Sequence, residues 1–503
     1  MKKNLWLLVV GCWLLDSCLN TKPKNLFLAL SLAVFALSAQ AKIKLNSALS
    51  SNMVLQQNSE VKLWGTSDVK GGEVTVAVSW TEKKYKAKID GDGKWLVKVE
   101  TPAASYTPLT ITFSDGKESV KVENVLSGDV WLATGQSNME MPVMGFSNCP
   151  VEGYHQVLVD AVNTKNVRFC KIASEESFTP LDECQGEWKV CDPDNVAEAS
   201  ATGYFFARML NKVLDIPIGM LEVNKGGSRV EGWLNEENLK KYTTEDLDPD
   251  HIVENFKYNY WRPGVWYNGT MHPVLNYGIK GIIWYQGCSN VESFPEKYAE
   301  RLAIMVEQFR KDFNAPDAPF YEVEIAPCIY ENNLQGVKAA FLREQQNKAV
   351  ALIPNSGIVG NNDGVYPWET EQIHPTQKYK VGERLAALAL EQTYGKKQFM
   401  GKSPQFKSVS FKDGTAYVWL KDDYDAISRY EDIQGFEVAG EDKVFYPVTA
   451  KYHYKKGIII KSDKVPNPVA VRYCYRNFKL GNVANKGGNP LIPFRTDQWD
   501  LNP

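Results

Sequence analysis

The first part of the chain, residues 42 to about 127, alternates apolar and polar positions in short runs and shows no helical period. Runs that alternate or are β-branched predict strands separated by turns; they cover residues 61–64, 73–78, 85–89, 95–99 and 109–113. Asp90-Gly91-Asp92-Gly93 predicts a hairpin turn between two of them, since Asp and Gly tolerate positive φ. We therefore predict a small N-terminal β-sandwich over residues 42–127.

From residue 129 the pattern changes to strands and helices in turn, which favours an α/β fold with a mostly parallel sheet and helices on its faces. The predicted strands are 129–134, 167–172, 218–223, 281–285, 320–325 and 357–359, and the predicted helices are 204–214, 296–313, 337–350 and 379–391. In the last helix Val381, Leu385 and Leu388 form one apolar stripe. Residues 128–400 thus predict an α/β domain.

Beyond residue 402 the short β-type runs return, at residues 417–420, 435–438, 458–460 and 469–473. We predict a C-terminal β-rich module over residues 401–503. Three segments agree with a length of 503 residues, which exceeds what one hydrophobic core usually supports. The 57 Lys and Arg against 60 Asp and Glu, with 44% hydrophobic residues, exclude a disordered tail, a collagen and a strongly basic nucleic-acid binder.

Residues 1–41 predict a signal peptide region. Two apolar stretches, at 5–15 and 26–37, are shorter than the roughly 20 residues that cross a bilayer. Lys22 and Lys24 precede the second stretch, and it ends in Ser38-Ala39-Gln40-Ala41, so we predict cleavage after Ala41 and export to the periplasm or the cell exterior. The first stretch fits either an upstream start codon or a long signal, and Asp16 makes lipoprotein attachment at Cys18 an unfavoured alternative.

Removal of residues 1–41 takes away four Lys and one Asp and moves the net charge from -3 to -6. A mildly acidic exported protein has no electrostatic reason to bind nucleic acid or anionic lipid, and we expect neither as a partner.

Seven of the nine cysteines lie beyond the predicted signal peptide. In an oxidising compartment Cys184 and Cys191 can pair across a short loop, and Cys149 with Cys170 is a second option. The odd number leaves at least one free thiol. No pair has zinc-ribbon spacing, so we expect no metal site.

The loops that follow the predicted strands are the places to search for chemistry, because ligands of open α/β sheets bind beyond the carboxyl ends of the strands. In the first, Gly135-Gln136-Ser137 places a serine on a tight turn, which exposes a nucleophile, although an ordinary turn serine is the commoner alternative. In the second, Gly226-Gly227 permits a backbone N–H to point at an oxyanion, with an ordinary turn as the alternative.

Two further loops supply an amide and a base. Asn290 follows the strand at 281–285, and its side-chain amide is a candidate second oxyanion donor. Of the five histidines, His374 lies just before the predicted helix at 379–391 and has an acid, Glu371, three residues earlier. We predict His374 as general base, with Glu371 accepting its Nδ1–H.

The order of these blocks carries more information than any one of them. Gly-Gln-Ser-Asn-Met, Gly-Gly-Ser-Arg, Trp-Tyr-Gln-Gly-x-Ser-Asn and Ile-His-Pro before Val-Gly-Glu-Arg-Leu-Ala resemble the four blocks of the sialate O-acetylesterases within the SGNH hydrolases. The resemblance runs over nearly the whole mature chain. It implies an SGNH-hydrolase-like, flavodoxin-like core and a serine esterase that removes acetyl groups from sugar hydroxyls without metal or organic cofactor.

The resemblance also implies roles for single residues. Ser137 matches the nucleophile and His374 the base. The oxyanion hole would comprise the Ser137 N–H, the N–H of Gly227, with Gly226 as the alternative, and the amide of Asn290. The residues expected to line the substrate pocket are Gln136, Gln286 and Arg229.

The chain departs from the family pattern at two positions. Glu371 stands where the family usually has Asp, so Asp363 is an alternative acid for orienting His374, and a Ser–His dyad is a third possibility. Cys288 stands where the third block usually has Glu, which leaves the substrate range open. The stretch from Trp368 to Gln372 is also unlike the usual loop.

Two other functions compete with sialate deacetylation. One is the same chemistry on acetylated xylan or pectin. The other is non-catalytic carbohydrate binding, against which the complete set of Ser, His and Asn argues. The 12% of aromatic residues suits stacking on sugars but suits β-sandwich cores equally, so the sequence names neither the sugar nor the oligomeric state.

Overall fold

The computed structural model describes residues 43–164, 166–242, 246–424, 427 and 432–501. The predicted signal peptide, with Cys12 and Cys18, therefore lies outside the described residues. Within the described part, none of the helices combines the length and the apolar character that a membrane span needs.

Most predicted elements are confirmed, several with the same bounds. Along the described residues the strands are β1 Ile43–Leu45, β2 Val54–Gln56, β3 Glu60–Ser67, β4 Glu73–Val78, β5 Lys84–Lys88, β6 Lys94–Glu100, β7 Ser105–Ser114, β8 Ser119–Gly135, β9 Val167–Ile172, β10 Trp188–Val190, β11 Ile218–Asn224, β12 Gly281–Tyr285, β13 Phe320–Val323, β14 Ser356–Val359, β15 Gln405–Lys412, β16 Thr415–Lys421, β17 Ile433–Ala439, β18 Phe445–His453, β19 Gly457–Ile460, β20 Ala470–Tyr473 and β21 Phe494–Arg495. The α-helices are α1 Ser137–Glu140, α2 Tyr154–Ala161, α3 Ala201–Leu214, α4 Glu236–Tyr242, α5 Pro249–Asn255, α6 Tyr298–Asp312, α7 Lys338–Leu352 and α8 Lys378–Gln392.

The N-terminal strands form two sheets that share one core. One sheet has the order β1-β3-β6, and the other contains β2, β4, β5, β7 and the first part of β8. Alternate residues of β3 and β4, such as Leu63 and Val76, are buried between the sheets. The predicted hairpin at residues 90–93 is wrong: the turn forms, with Gly93 at φ +84°, but β5 pairs with β4 and β6 with β3. The turn residues indicate that the chain reverses direction at this point. Which strand each neighbour pairs with depends on the presence of the second sheet.

Strand β8 continues from this region into the central sheet, so the predicted boundary between residues 127 and 128 falls inside one 17-residue strand. The central strands have the order β10-β9-β11-β8-β12-β13-β14, and all neighbouring pairs are parallel except β10 with β9. Helices α3 and α8 cover one face, and α6 and α7 cover the other. A mixed α/β core is confirmed.

The last seven strands form one antiparallel sheet with the order β15-β16-β19-β18-β17-β20-β21 and a buried core of its own. Near its end, Arg472 and Asp497 form a buried ion pair with two 2.9 Å hydrogen bonds.

The predicted disulfides are wrong, because all seven described cysteines are free and buried. Cys170 and Cys184 belong to the core on one face of the central sheet, whereas Cys149 and Cys191 belong to the core on the other. Each predicted pair thus joins opposite faces of the sheet, which prevents bridging.

Candidate active site

Ser137 lies at the end of the central strand β8, as the first residue of the short helix α1. The sheet order changes direction here, because β11 lies on one side of β8 and β12 on the other, and ligands of open α/β sheets bind at such a point. Gly135 makes the turn possible: its φ is +145°, and a Cβ there would lie 2.4 Å from the carbonyl oxygen of Tyr285. Only glycine permits this close approach of β8 to β12.

His374 is brought to this serine from 237 residues further along the chain. Its Nε2 lies 2.7 Å from the Ser137 Oγ, which is hydrogen-bond distance for a base and its nucleophile. The ring of Phe146 packs edge-on against the imidazole at 5.2 Å. Burial, assisted by the nearby positive charge of Lys378, lowers the pKa of His374 to about 4. The imidazole is therefore neutral and able to accept a proton at neutral pH.

Neither predicted acid orients this histidine. Glu371 is exposed, and among the described residues it forms no hydrogen bond with His374. Asp363 is held by Arg384 through two 2.7 Å bonds. Instead, the Cys149 Sγ lies 3.7 Å from the His374 Nδ1. The prediction of Glu371 as the partner is wrong because the loop turns that side chain towards solvent.

Gln372 links the cysteine to the histidine. Its Oε1 accepts the backbone N–H of His374 at 3.1 Å and the Cys149 thiol at 3.2 Å. Sequence reasoning missed Cys149, since it stands 225 residues before His374 and no local pattern connects them.

The Gly226-Gly227 turn lies against the serine, as its predicted role requires. A Cβ on Gly226 would be 3.6 Å from the Ser137 Cβ, and Gly227 has φ +76°. Among the described residues no acceptor binds the N–H of Gly227 or that of Ser137. Two unoccupied backbone donors next to a serine hydroxyl are an arrangement that could bind a tetrahedral oxyanion.

Asn290 is wholly buried in a network of polar side chains. Its Nδ2 donates to the Glu231 carboxylate at 3.0 and 3.3 Å, and its Oδ1 accepts from the Val230 N–H and the Gln286 Nε2. Glu231 in turn forms a buried ion pair with Arg301. These hydrogen bonds fix the orientation of the Asn290 amide, and Glu231 occupies one N–H of its Nδ2.

Three residues were expected to line the pocket, and the structure gives each a definite position. Gln286 is wholly buried and donates to the Ser228 carbonyl as well as to Asn290. Gln136 is also buried, and its Oε1 accepts the N–H of Gly287 at 2.9 Å. Both glutamines thus tie neighbouring loops together. Arg229 is half-buried, with its guanidinium 4.4 Å from the centre of the Trp261 ring.

Lys378 is a site residue that sequence reasoning missed. It is wholly buried, and its Nζ donates to the Asn138 Oδ1 and the Pro375 carbonyl, both at 2.8 Å. Burial lowers its pKa to about 7. Asn138 also donates to the Ile373 carbonyl, so the lysine and the asparagine together hold the His374 segment against α1. Buried Cys288 lies 3.9 Å from Asn138.

The lowered pKa of His374 predicts activity in acid. A histidine with the usual pKa of about 6.5 is protonated below that pH and cannot accept a proton. With a pKa of about 4, His374 stays mostly neutral down to about pH 5. We expect kcat/KM to stay level from pH 7 to 5 and to fall as the pH drops through about 4. Initial rates after a brief pH jump measure this, and recovery of activity on return to pH 7 excludes unfolding. An acid limb near pH 6.5 would contradict the expectation.

Comparisons with known proteins show which family the chain is similar to. A family model described as carbohydrate esterase, sialic acid-specific acetylesterase matches residues 127–391, a range that contains Ser137 and His374. The sialate O-acetylesterase of Mus musculus is 24% identical over an alignment of 458 residues, and the match covers 80% of this chain and 83% of that protein. The Homo sapiens sialate O-acetylesterase is 25% identical over 397 residues, covering 73% of this chain and 74% of that protein.

A solved structure extends the similarity to the folded chain as a whole. The crystal structure of a carbohydrate acetylesterase from Xanthomonas citri has a TM-score of 0.80 and 32% sequence identity to this chain. The match covers 91% of this chain and 100% of that one.

Proposed function

Because this chain belongs to the carbohydrate esterase family of sialic acid-specific acetylesterases, it is a carboxylic ester hydrolase, and we propose that Ser137 and His374 carry its reaction. The comparisons support removal of O-acetyl groups from sugars. The observation that supports the two residues is the 2.7 Å contact between the Ser137 Oγ and the His374 Nε2, at the carboxyl end of the central strand.

The core is proposed to be of the SGNH-hydrolase type. With β9 and the edge strand β10 set apart, the order β11-β8-β12-β13-β14 is the flavodoxin-like order 2-1-3-4-5. Export is proposed from the signal pattern at residues 1–41 alone.

In the proposed mechanism His374 accepts the proton of the Ser137 hydroxyl as its oxygen attacks the acetyl carbonyl. The N–H groups of Ser137 and Gly227 bind the oxyanion, and the second N–H of Asn290 is the proposed third donor. The C–O bond to the sugar breaks, and the sugar oxygen takes the proton from His374. Water then attacks the acetyl-serine with His374 as base, which releases acetate and restores the Ser137 hydroxyl.

Cys149 and Gln372 are proposed to hold the imidazole in place of a triad acid. A carboxylate at this position would stabilise the imidazolium that forms during attack. We therefore expect Cys149→Asp to raise the pKa of His374, to move the acid limb of kcat/KM upward by at least one pH unit and to increase turnover above pH 7. Cys149→Ala should reduce turnover severalfold.

Cys191→Ala is the matched control, because Cys191 is a buried thiol of the same core that does not contact His374. It should leave the pH profile unchanged. An acid limb in Cys149→Asp at the wild-type pH would contradict a positioning role for Cys149.

The proposed substrate is an O-acetylated sialic acid, supported by the names of the curated relatives. Acetate release from O-acetylated sialic acid and from acetylated xylan, measured side by side with Ser137→Ala as the blank, tests it. Faster release from xylan would reject sialate as the preferred substrate while leaving the esterase chemistry intact.

A further inference from the structure

Three aromatic residues lie together on the loop that follows α5. The rings of Tyr258 and Tyr260 are stacked, with centroids 5.1 Å apart and an angle of 9° between the planes. The Trp261 ring stands nearly perpendicular to both, at 4.8 Å from Tyr258 and 5.6 Å from Tyr260. We call these three residues the aromatic corner.

The aromatic corner adjoins the reaction centre through the glycine turn. A Cβ on Gly227 would lie only 2.6 Å from the Tyr260 ring, while a Cβ on the preceding Gly226 would lie 3.6 Å from the Ser137 Cβ. The turn is therefore a thin layer of backbone between the nucleophile and the corner. The Tyr260 ring therefore packs on the residue whose N–H is the proposed oxyanion donor.

The grouping of these aromatic residues is not explained by packing in a hydrophobic core. Tyr258 is 37% exposed and Trp261 is half-buried, and neither belongs to a hydrophobic core, while Tyr260 packs only at the edge of one. Large apolar side chains exposed in a group beside an active site indicate a ligand surface.

Hydrogen bonds fix the position of the aromatic corner. Asn259 and Arg262, on either side of Tyr260 and Trp261, both bind the Glu176 carboxylate. The Trp266 Nε1 donates to the Tyr260 carbonyl at 3.3 Å. Fixed rings lose little conformational entropy on binding, which favours their use as a preformed contact surface.

We propose that the aromatic corner is the subsite for the ring of the acetylated sugar, with the C–H face of a pyranose stacked on Tyr258. This inference rests on the proposed function, because it assumes a sugar ester at Ser137. Aromatic rings offer a flat apolar surface to the C–H groups of a sugar, and phenol hydroxyls bind its hydroxyl groups.

The exposed Lys257 contacts the same ring, with its Nζ 4.9 Å from the Tyr258 centroid. A stacked sugar would displace this ammonium with a small loss of binding free energy, because an exposed lysine has a flexible side chain and its ammonium is well hydrated after it leaves the ring.

Tyr258→Ala tests the subsite, because its side chain is exposed enough to remove without opening a core. The quantity to measure is the ratio of kcat/KM for an O-acetylated sugar to kcat/KM for a small aryl acetate. We expect this ratio to fall about fivefold, mainly through KM for the sugar, since the flat apolar face on which the sugar stacks is removed. Tyr258→Trp should restore the ratio, and Tyr258→Leu should not.

Tyr454→Ala is the matched control, since Tyr454 is a more exposed tyrosine on the C-terminal sheet region, and its ratio should equal that of the wild type. Trp368→Ala tests a rival position: Trp368 is 75% exposed and stacks on Tyr366 in the loop before His374. A loss confined to Trp368→Ala, or equal ratios in Tyr258→Ala and wild type, would overturn the subsite. A wild-type enzyme that cleaves aryl acetate but no acetylated sugar would instead reject the proposed function.

Discussion

Ser137→Ala is expected to lower acetate release by about 10⁵-fold or more. In the proposed mechanism the Ser137 oxygen forms the only covalent bond between the protein and the acetyl group, and removal of a serine nucleophile in comparable hydrolases costs about 10⁶-fold. The Ser137 side chain is small and half-buried, so the variant should fold with a near-native melting temperature. Acetate release from an aryl acetate and from an O-acetylated sugar measures the loss, and a fluorophosphonate probe should no longer label the protein.

Ser289→Ala is the neighbouring control. Its hydroxyl lies 3.5 Å from the Gln136 Nε2 and forms no bond with His374 among the described residues, so this variant should keep the fluorophosphonate label. Retained acetate release in Ser137→Ala, or loss of labelling in Ser289→Ala alone, would reject Ser137 as nucleophile.

Glu231→Ala is expected to lower the free energy of unfolding by about 3–5 kcal/mol, the usual cost of leaving one member of a buried ion pair alone. Glu231 and Arg301 are both buried, and Arg301 would lose its counter-charge. The Asn290 amide would lose its acceptor, so turnover should fall as well. Urea unfolding and kcat on an aryl acetate measure the two effects.

The contrast with a surface pair makes this prediction specific. Glu236→Ala removes an exposed partner of Lys240 and should leave the free energy of unfolding unchanged within error. Glu231→Gln keeps an acceptor for Asn290 while removing the charge, so it should preserve more turnover than Glu231→Ala. A Glu231→Ala protein as stable as Glu236→Ala would show that the pair contributes nothing net.

The central elements were predictable because their patterns are local. The strand at 281–285 and that at 167–172 have the predicted bounds, and the first is a continuous apolar run, as is usual for buried parallel strands. The stripe of Val381, Leu385 and Leu388 identified α8, whose residues pack against the sheet. The hairpin at residues 90–93 failed for a related reason: a turn motif contains no information about which strand its neighbours pair with.

The sequence by itself determined where the proposed nucleophile and base lie along the chain. A serine after a glycine-bearing strand end and a histidine before an amphipathic helix are set by local backbone preferences and by the order of segments in a parallel sheet. Only the tertiary structure decided what surrounds them: Cys149 beside His374 in place of Glu371, Glu231 behind Asn290, and the aromatic corner behind Gly227. Each of these contacts joins distant segments, and its geometry depends on how loops pack above the sheet, which short-range periodicity and turn chemistry do not specify.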